Sequence, residues 1–401
     1  AMLALYDQGQ PVDYVTAADQ LRRSGCLDRV GGPVYLAELG ESVVSAANAA
    51  RHAHIVREHA VRRGLIETAS GIIARCYDRG DVEELLDGAE RGIFAITDSR
   101  QASPIVSSQE LIHQVVDEVE ARFARKSQLT GIETRYAEFD RMTAGLQKSD
   151  LIIVAGRPSM GKTAFALNLA LNAAGNRTTP TPTAVFSLEM SKEQLMTRLL
   201  STRSRVPLQH LRTGYLSDSE WPLIHDGADA LMQAPLFIDD TPSLATLELR
   251  ARCRRLKSQH GLGLVIVDYL QLMRSSRNPD SREQEISDIS RSLKALAKEL
   301  SVPVIALSQL NRRVEDRNPP KPMLSDLRES GAIEQDADVI VFLYREAYYR
   351  RLKAKRGEAV SEDAEDNTAT LIIGKQRNGP VGEVELVFVP DVASFENKYT
   401  Q

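Results

Sequence analysis

Gly156-Arg157-Pro158-Ser159-Met160-Gly161-Lys162-Thr163 follow the pattern GxxxxGK[ST], between an apolar run, Leu151–Ala155, and a helix-forming one, Ala164–Ala174. That context is what phosphate binding requires. The glycines let backbone N–H groups wrap phosphate oxygens, and the helix N-terminus favours negative charge. The Lys162 ammonium then reaches the β/γ oxygens and the Thr163 hydroxyl can hold Mg²⁺. The chemistry to expect is binding of a nucleoside triphosphate with its magnesium.

Three further polar residues close apolar runs downstream. Leu264-Val265-Ile266-Val267 ends in Asp268, placed to share the Mg²⁺ shell with Thr163. Ala184-Val185-Phe186-Ser187-Leu188 ends in Glu189, a candidate base for the water that attacks the γ-phosphate. Val304-Ile305-Ala306-Leu307-Ser308 ends in Gln309, a candidate sensor of that phosphate. A strand-end Asp, Glu or Gln is also an ordinary cap or surface residue, so these assignments lean on their order behind the phosphate loop.

The elements that must position these groups follow from periodicity. From about Thr130, apolar strand-like runs alternate with helical stretches, the pattern of a mostly parallel sheet covered on both faces. Strands are expected at Leu151–Ala155, Thr183–Leu188, Leu236–Ile238, Leu262–Asp268, Val302–Leu307, Val339–Tyr344, Thr370–Gly374 and Val384–Val389. The charged stretch between Tyr344 and Thr370 reads as a mobile, solvated excursion. Ligands of such sheets bind at the carboxyl ends of the strands.

The first 100 or so residues are helical in period. Thr16 reads as the cap of a short helix ending at Gly25, and longer helices are expected over Ala46–Arg79 and Asp81–Ile96. Ser99–Ser108, with Pro104, reads as a linker. Beyond it Leu111, Ile112, Val115, Val116, Val119 and Phe123 share one face of an amphipathic helix that needs a surface, either its own chain or a neighbouring subunit. The domain reading is 1–100 helical, 101–129 linker with helix, and 130–401 α/β. Met2-Leu3-Ala4-Leu5-Tyr6 resembles the middle of a helix, so the helical domain is expected to begin before Ala1.

Composition narrows the classes. Hydrophobic residues at 42% and charged residues at 26% over 401 residues exclude disordered and fibrous chains. A net charge of −5 offers no global basic field, so any nucleic acid must be held by a local surface. No apolar run approaches the ~18 residues of a membrane span. Cys26, Cys76 and Cys253 form no metal spacing and read as packing residues in a reducing, cytoplasmic setting.

Taken in order, six motifs resemble those of the DnaB replicative helicases of bacteria and phages. They are Gly156–Thr163; Ser187-Leu188-Glu189-Met190; Val267-Asp268-Tyr269-Leu270-Gln271-Leu272-Met273; Leu307-Ser308-Gln309-Leu310-Asn311-Arg312; Asp326-Leu327-Arg328-Glu329-Ser330-Gly331 with Glu334-Gln335-Asp336-Ala337-Asp338; and Gly374-Lys375-Gln376-Arg377-Asn378-Gly379. Asp28-Arg29-Val30-Gly31-Gly32 and Tyr35-Leu36-Ala37-Glu38-Leu39 resemble the second half of that family's N-terminal domain.

The resemblance implies a RecA-like P-loop NTPase domain behind a small all-α domain and linker helix. It also implies a homohexameric ring that moves 5′ to 3′ on single-stranded DNA and unwinds the replication fork, with primase and a helicase loader as partners. By motif it makes Glu189 the catalytic base, Asp268 the Walker B acid and Gln309 the sensor. Lys375 and Arg377 become the pair reaching the neighbour's nucleotide, and Arg328, Glu329 and Gly331 the loop gripping DNA. Arg312, with Arg313 and Arg317, adds local positive charge there. Aromatic residues are only 5%, which favours phosphate contacts over base stacking. Two other readings share the core: a RecA- or RadA-like strand-exchange recombinase, and a nucleotide-binding assembly scaffold without turnover.

Overall fold

The computed structural model describes residues 1–7, 11, 13–41, 49–77, 85, 88–89, 92–93, 107–125, 129–176, 178–275, 281–317, 319–327, 331–355 and 367–398. It divides into two compact units, Ala1–Gln114 and Val115–Gln401.

The first unit is helical: α1 (Met2–Asp7), α2 (Tyr14–Arg23), α3 (Gly32–Glu41) and α4 (Ala49–Tyr77). Leu5, Ala17, Leu27 and Leu36 form its small buried core. The cap of α2 is Asp13, not Thr16 as read from sequence. The Asp13 carboxylate accepts the Thr16 amide at 2.8 Å while the Thr16 hydroxyl accepts the Asp13 amide at 3.0 Å. That reciprocal box satisfies two amides that the first turn leaves open and so fixes where the helix begins. The helix expected over Asp81–Ile96 lies mostly outside the described residues, as does the Ser99–Ser108 linker up to residue 106.

The amphipathic helix α5 runs Ser108–Arg125. Leu111, Ile112, Val115, Val116, Val119 and Phe123 are all exposed on it. Of the cysteines only Cys253 is buried; Cys26 is partly exposed and Cys76 exposed, which corrects the reading of all three as packing residues.

The second unit is built on one sheet in the order β3-β2-β4-β5-β1-β6-β7-β8-β9. The strands are β1 (Leu151–Gly156), β2 (Thr183–Ser187), β3 (Leu236–Asp239), β4 (Leu264–Asp268), β5 (Val304–Gln309), β6 (Val339–Tyr344), β7 (Thr368–Gln376), β8 (Gly382–Val389) and β9 (Ser394–Asn397). The six from β3 to β6 are parallel, and β7, β8 and β9 add antiparallel. All eight strands expected from the apolar runs are present. β9 was not anticipated, because a four-residue segment of mixed polarity carries no periodic signal.

Strands β1, β2, β4 and β6 are buried along their whole length, which is why they read as continuous apolar runs. Alternate residues feed two core layers. Ile152 and Val154 pack with Phe165 and Leu169 of α7 (Lys162–Ala174). Leu151 and Ile153 pack on the other face with Ile286, Ile289, Leu293 and Leu296, on the helix Arg282–Leu300. Ahead of β1 lies α6 (Ala137–Thr143), and between α7 and α12 (Arg282–Leu300) lie α8 (Lys192–Ser204), α9 (Leu208–Thr213), α10 (Glu220–Gln233) and α11 (Thr246–His260).

The stretch after Tyr344 is not simply a solvated excursion. Glu346–Lys355 form a helix in which Ala347 and Tyr349 are buried, and the Tyr349 ring stacks on Tyr344 at 5.8 Å. Residues 356–366 lie outside those described. No described helix is long and apolar enough to cross a membrane.

Candidate active site

The phosphate loop spans the five residues between β1 and α7. Two of them hold left-handed backbone: Ser159 (φ 66°) and Gly161 (φ 98°). A Cβ at Gly161 would stand 3.0 Å from the Phe395 ring, so glycine meets both a backbone and a space requirement there. Met160 is buried and anchors the loop to the core. Pro158 and Ser159 are exposed at its tip. Arg157 lends the loop only its backbone. Its buried guanidinium pairs with Glu315 at 2.8 Å and donates to the Leu310 carbonyl at 3.0 Å, past the end of β5.

Lys162 folds back over this loop, with Nζ donating to the carbonyls of Gly156 at 2.8 Å and Arg157 at 3.3 Å. Burial pushes its pKa down to about 8, against the pull of the Asp268 and Glu189 carboxylates. The Thr163 hydroxyl donates to Asp268 Oδ2 at 2.7 Å. Asp268 is only 3% exposed at the end of β4. Burial raises its pKa, the Thr163 hydrogen bond opposes that, and the charge of Glu189 adds to it.

Glu189 follows β2 on a short turn. The Ser187 hydroxyl donates to the Met190 carbonyl at 2.8 Å, and Leu188 N donates to Asp268 O at 2.8 Å, so the turn is tied to β4. The Glu189 side chain itself is exposed. Gln309 is paired in register with Gly156, one strand over from the phosphate loop. Its backbone is held by Gln271, which donates to Ser308 Oγ at 2.9 Å and accepts Gln309 N at 3.4 Å.

Sequence reasoning missed two residues of this cluster. Gln271 sits in the motif after Asp268 but carries no chemistry of its own there. Arg198, on α8, is half-buried and faces Asp268 and Glu189; burial lowers its pKa and those carboxylates oppose the shift. One arginine on a helix of mixed polarity gives no sequence signal, and only the packing of α8 against the phosphate-loop helix α7 reveals it.

A Thr hydroxyl and a carboxylate at the mouth of a phosphate loop are hard oxygen donors, the set that suits Mg²⁺ shared with substrate phosphates. Among the described residues no group of three His, Cys, Asp or Glu forms a self-sufficient metal cage.

The remaining candidates lie elsewhere. Lys375 lies in β7 and Arg377 directly follows it; Gln376 of β7 pairs with Val339 at the start of β6, and Val339 in turn pairs with Ile152 at the start of β1. Both cations therefore stand at the edge of the sheet opposite the phosphate loop. Lys375 Nζ donates to the carbonyls of Glu334 and Ala337, and Arg377 Nη2 to that of Gln335 at 2.6 Å. These carbonyls close the short helix Gly331–Asp336, which starts at the expected DNA loop. Arg328 and Glu329 fall outside the described residues. Arg312 and Arg313 are exposed on the turn Arg312–Asp316, whereas Arg317 is paired with Asp326.

Comparison with known proteins follows the same division. The DnaB-like helicase C terminal domain matches residues 131–397 and the DnaB-like helicase N terminal domain matches residues 1–58. The replicative DNA helicase DnaB of Geobacillus stearothermophilus is 47% identical over 400 residues, covering 99% of this chain and 85% of that protein. The replicative DNA helicase DnaC of Bacillus subtilis is also 47% identical, with the same coverage of each chain. Among solved structures, a DnaB-like replicative helicase described with its interactions with primase superposes with a TM-score of 0.75 at 34% identity. That match covers 99% of this chain and 90% of the other. The ATPase domain of G40P gives 0.67 at 37% identity over 74% of this chain and all of that one.

Proposed function

The chain belongs to the DnaB-like family of replicative DNA helicases, ATP-dependent enzymes that unwind DNA, and from that premise we propose that it works as a homohexameric ring with an ATP site at each subunit interface. The observation that carries this reading is the placement of Lys162 and Arg377 at opposite edges of one sheet. From Ile152 to Gly156 the strand alone spans roughly 13 Å, so Arg377 cannot reach the phosphate loop of its own chain. A second copy, set edge to edge, supplies the missing cation.

In each site the loop amides and Lys162 hold the phosphates. Thr163 and Asp268 are the residues that would hold Mg²⁺, which would supply charge neutralisation for the triphosphate. Glu189 takes the proton of the attacking water, and Arg198 beside it stabilises the γ-phosphate charge. Gln309 reports that phosphate to the segment beyond β5. The neighbour's Arg377, with Lys375, completes the site; an arginine supplied in trans contributes about 10³–10⁵ in rate in other NTPases.

DNA is gripped through its phosphates by Arg328 and Arg312 and by backbone N–H groups of Glu329 and Gly331, without base readout, so the strand can slide. The exposed apolar face of α5 docks on the adjacent subunit and ties the ring together. The N-terminal helical domain serves protein partners, primase and a loader.

Strand separation tests the whole. Duplexes with a 5′ tail, a 3′ tail or both are incubated with ATP, with Lys162→Ala as control. Unwinding that needs the 5′ tail and vanishes in the variant is expected; unwinding driven by a 3′ tail alone, or hydrolysis without strand separation, would overturn the proposal.

A further inference from the structure

Asp338 directly precedes β6 at the edge where Arg377 stands, and its side chain is only 6% exposed. A carboxylate that deep must be fully partnered, and its two oxygens divide the work differently. Oδ2 accepts the Leu151 amide at 2.8 Å and pairs with Lys294, whose ammonium also donates to the Ser149 carbonyl at 2.8 Å. These contacts staple α12, the helix Arg282–Leu300, to the start of β1, and they account for one oxygen. The other, Oδ1, faces Arg377 Nε at 3.5 Å.

The backbones beneath are locked in the same register: Arg377 N donates to Asp338 O at 2.9 Å and Asp338 N to Leu151 O at 2.9 Å. The Gln335 carbonyl takes Arg377 Nη2. Nη2 is thus hydrogen-bonded and Nε lies within ion-pair range of Oδ1, while Nη1 has no partner among the described residues and the side chain is 47% exposed. A guanidinium hydrogen-bonded at one nitrogen and drawn to a carboxylate at a second leaves the third free for a ligand. Asp150, alongside, reports the charge: its pKa rises to about 6 through burial and the nearness of Asp338, with Lys294 and Arg377 opposing.

We propose that Asp338 is a positioning residue for Arg377, aiming the guanidinium at the neighbouring subunit's nucleotide while Lys294 neutralises the carboxylate from behind. The inference rests on Arg377 acting in trans. An arginine has many rotamers, and one already aimed has less freedom to lose when the transition state forms.

Asp338→Asn tests it, because the amide oxygen keeps the Leu151 hydrogen bond and the volume while the charge goes. Steady-state hydrolysis by reassembled rings should show kcat down on the order of 10–100-fold with KM for ATP nearly unchanged, since each variant subunit keeps its own phosphate loop intact. Rings mixed from Asp338→Asn and Lys162→Ala subunits should regain turnover, because the second subunit brings an intact Asp338–Arg377 pair to the first one's loop. Unchanged kcat, or a loss that mixing does not restore, would overturn the proposal.

Two controls separate the failures. Arg377→Ala mixed with Lys162→Ala tests trans action itself. If that mixture recovers and the Asp338→Asn mixture does not, Asp338 only supports its own fold; if neither recovers, the trans reading fails first. Should Asp338→Asn melt at a lower temperature, Asp338→Glu keeps the charge but displaces it by one methylene. It should lower kcat with KM unchanged, and full activity in that variant would also contradict the positioning role.

Discussion

Arg377 and Lys162 lie at the two ends of β1 in the same sheet, Arg377 beside its first residues through Val339 and Gln376, Lys162 just past its last residue, Gly156. With Arg377 acting in trans, as proposed, each subunit carries half of two different sites. Hydrolysis at one interface would then be coupled to the helix Gly331–Asp336, whose last carbonyls hold Lys375 and Arg377 and whose first residue belongs to the proposed DNA loop.

Nucleotide affinity should depend on pH through Lys162. Its ammonium, pushed down to about 8 by burial, is charged below that pH and increasingly neutral above it. The bound phosphates favour the charged form, so above pH 8 binding must take up a proton. Affinity for a non-hydrolysable ATP analogue is expected to be flat below about pH 8 and then to fall by up to about tenfold per pH unit. Titration with a fluorescent analogue measures this, and affinity that stays constant to about pH 9.5 would contradict it.

Glu189→Gln should separate binding from chemistry. The side chain is exposed and makes no hydrogen bond among the described residues, so its replacement leaves the fold and the phosphate cradle intact. A drop in kcat of about 10²–10⁴ is expected with nucleotide affinity preserved or slightly raised. Single-turnover hydrolysis beside equilibrium binding distinguishes this from a binding defect. Turnover near that of the unaltered protein would remove Glu189 from the base role.

The apolar face of α5 should control assembly. Val115 and Val119 are 51% and 55% exposed, so a Val115→Asp, Val119→Asp double variant removes little burial within one chain. Its melting should shift by no more than the roughly 0.5 kcal/mol typical of surface changes. Light scattering should nevertheless show the ring lost, with hydrolysis falling alongside because the sites are shared. A stable hexamer in that variant would mean the face docks elsewhere.

The half of the site that holds nucleotide is written locally. A phosphate loop, and carboxylates closing apolar strands, are short patterns whose geometry follows from the strand–loop–helix they occupy, and Lys162, Thr163, Glu189, Asp268 and Gln309 converge at one sheet edge. The other half depends on strand order. Nothing in the spacing around Arg377 says that β7 runs antiparallel to β6 and so carries the guanidinium to the far edge; only the sheet topology does. Arg198 and Gln271 were illegible for a related reason, since each acts by facing a neighbour distant in sequence. Asp13 and Thr16 show a subtler limit: both residues of a capping box have capping chemistry, and the order of roles is settled by the backbone. The helix after Tyr344 was hidden by its charge, because among its described side chains only Ala347 and Tyr349 are buried, which leaves little apolar period to show.

The shared site itself is tested most directly by mixing two inactive proteins. Lys162→Ala and Arg377→Ala rings should each fail to hydrolyse ATP. Rings reassembled from an equal mixture should recover a substantial fraction of turnover, because some interfaces then join an intact phosphate loop to an intact Arg377. No recovery in mixtures shown by light scattering to form rings would place both residues in one subunit's site and contradict the account.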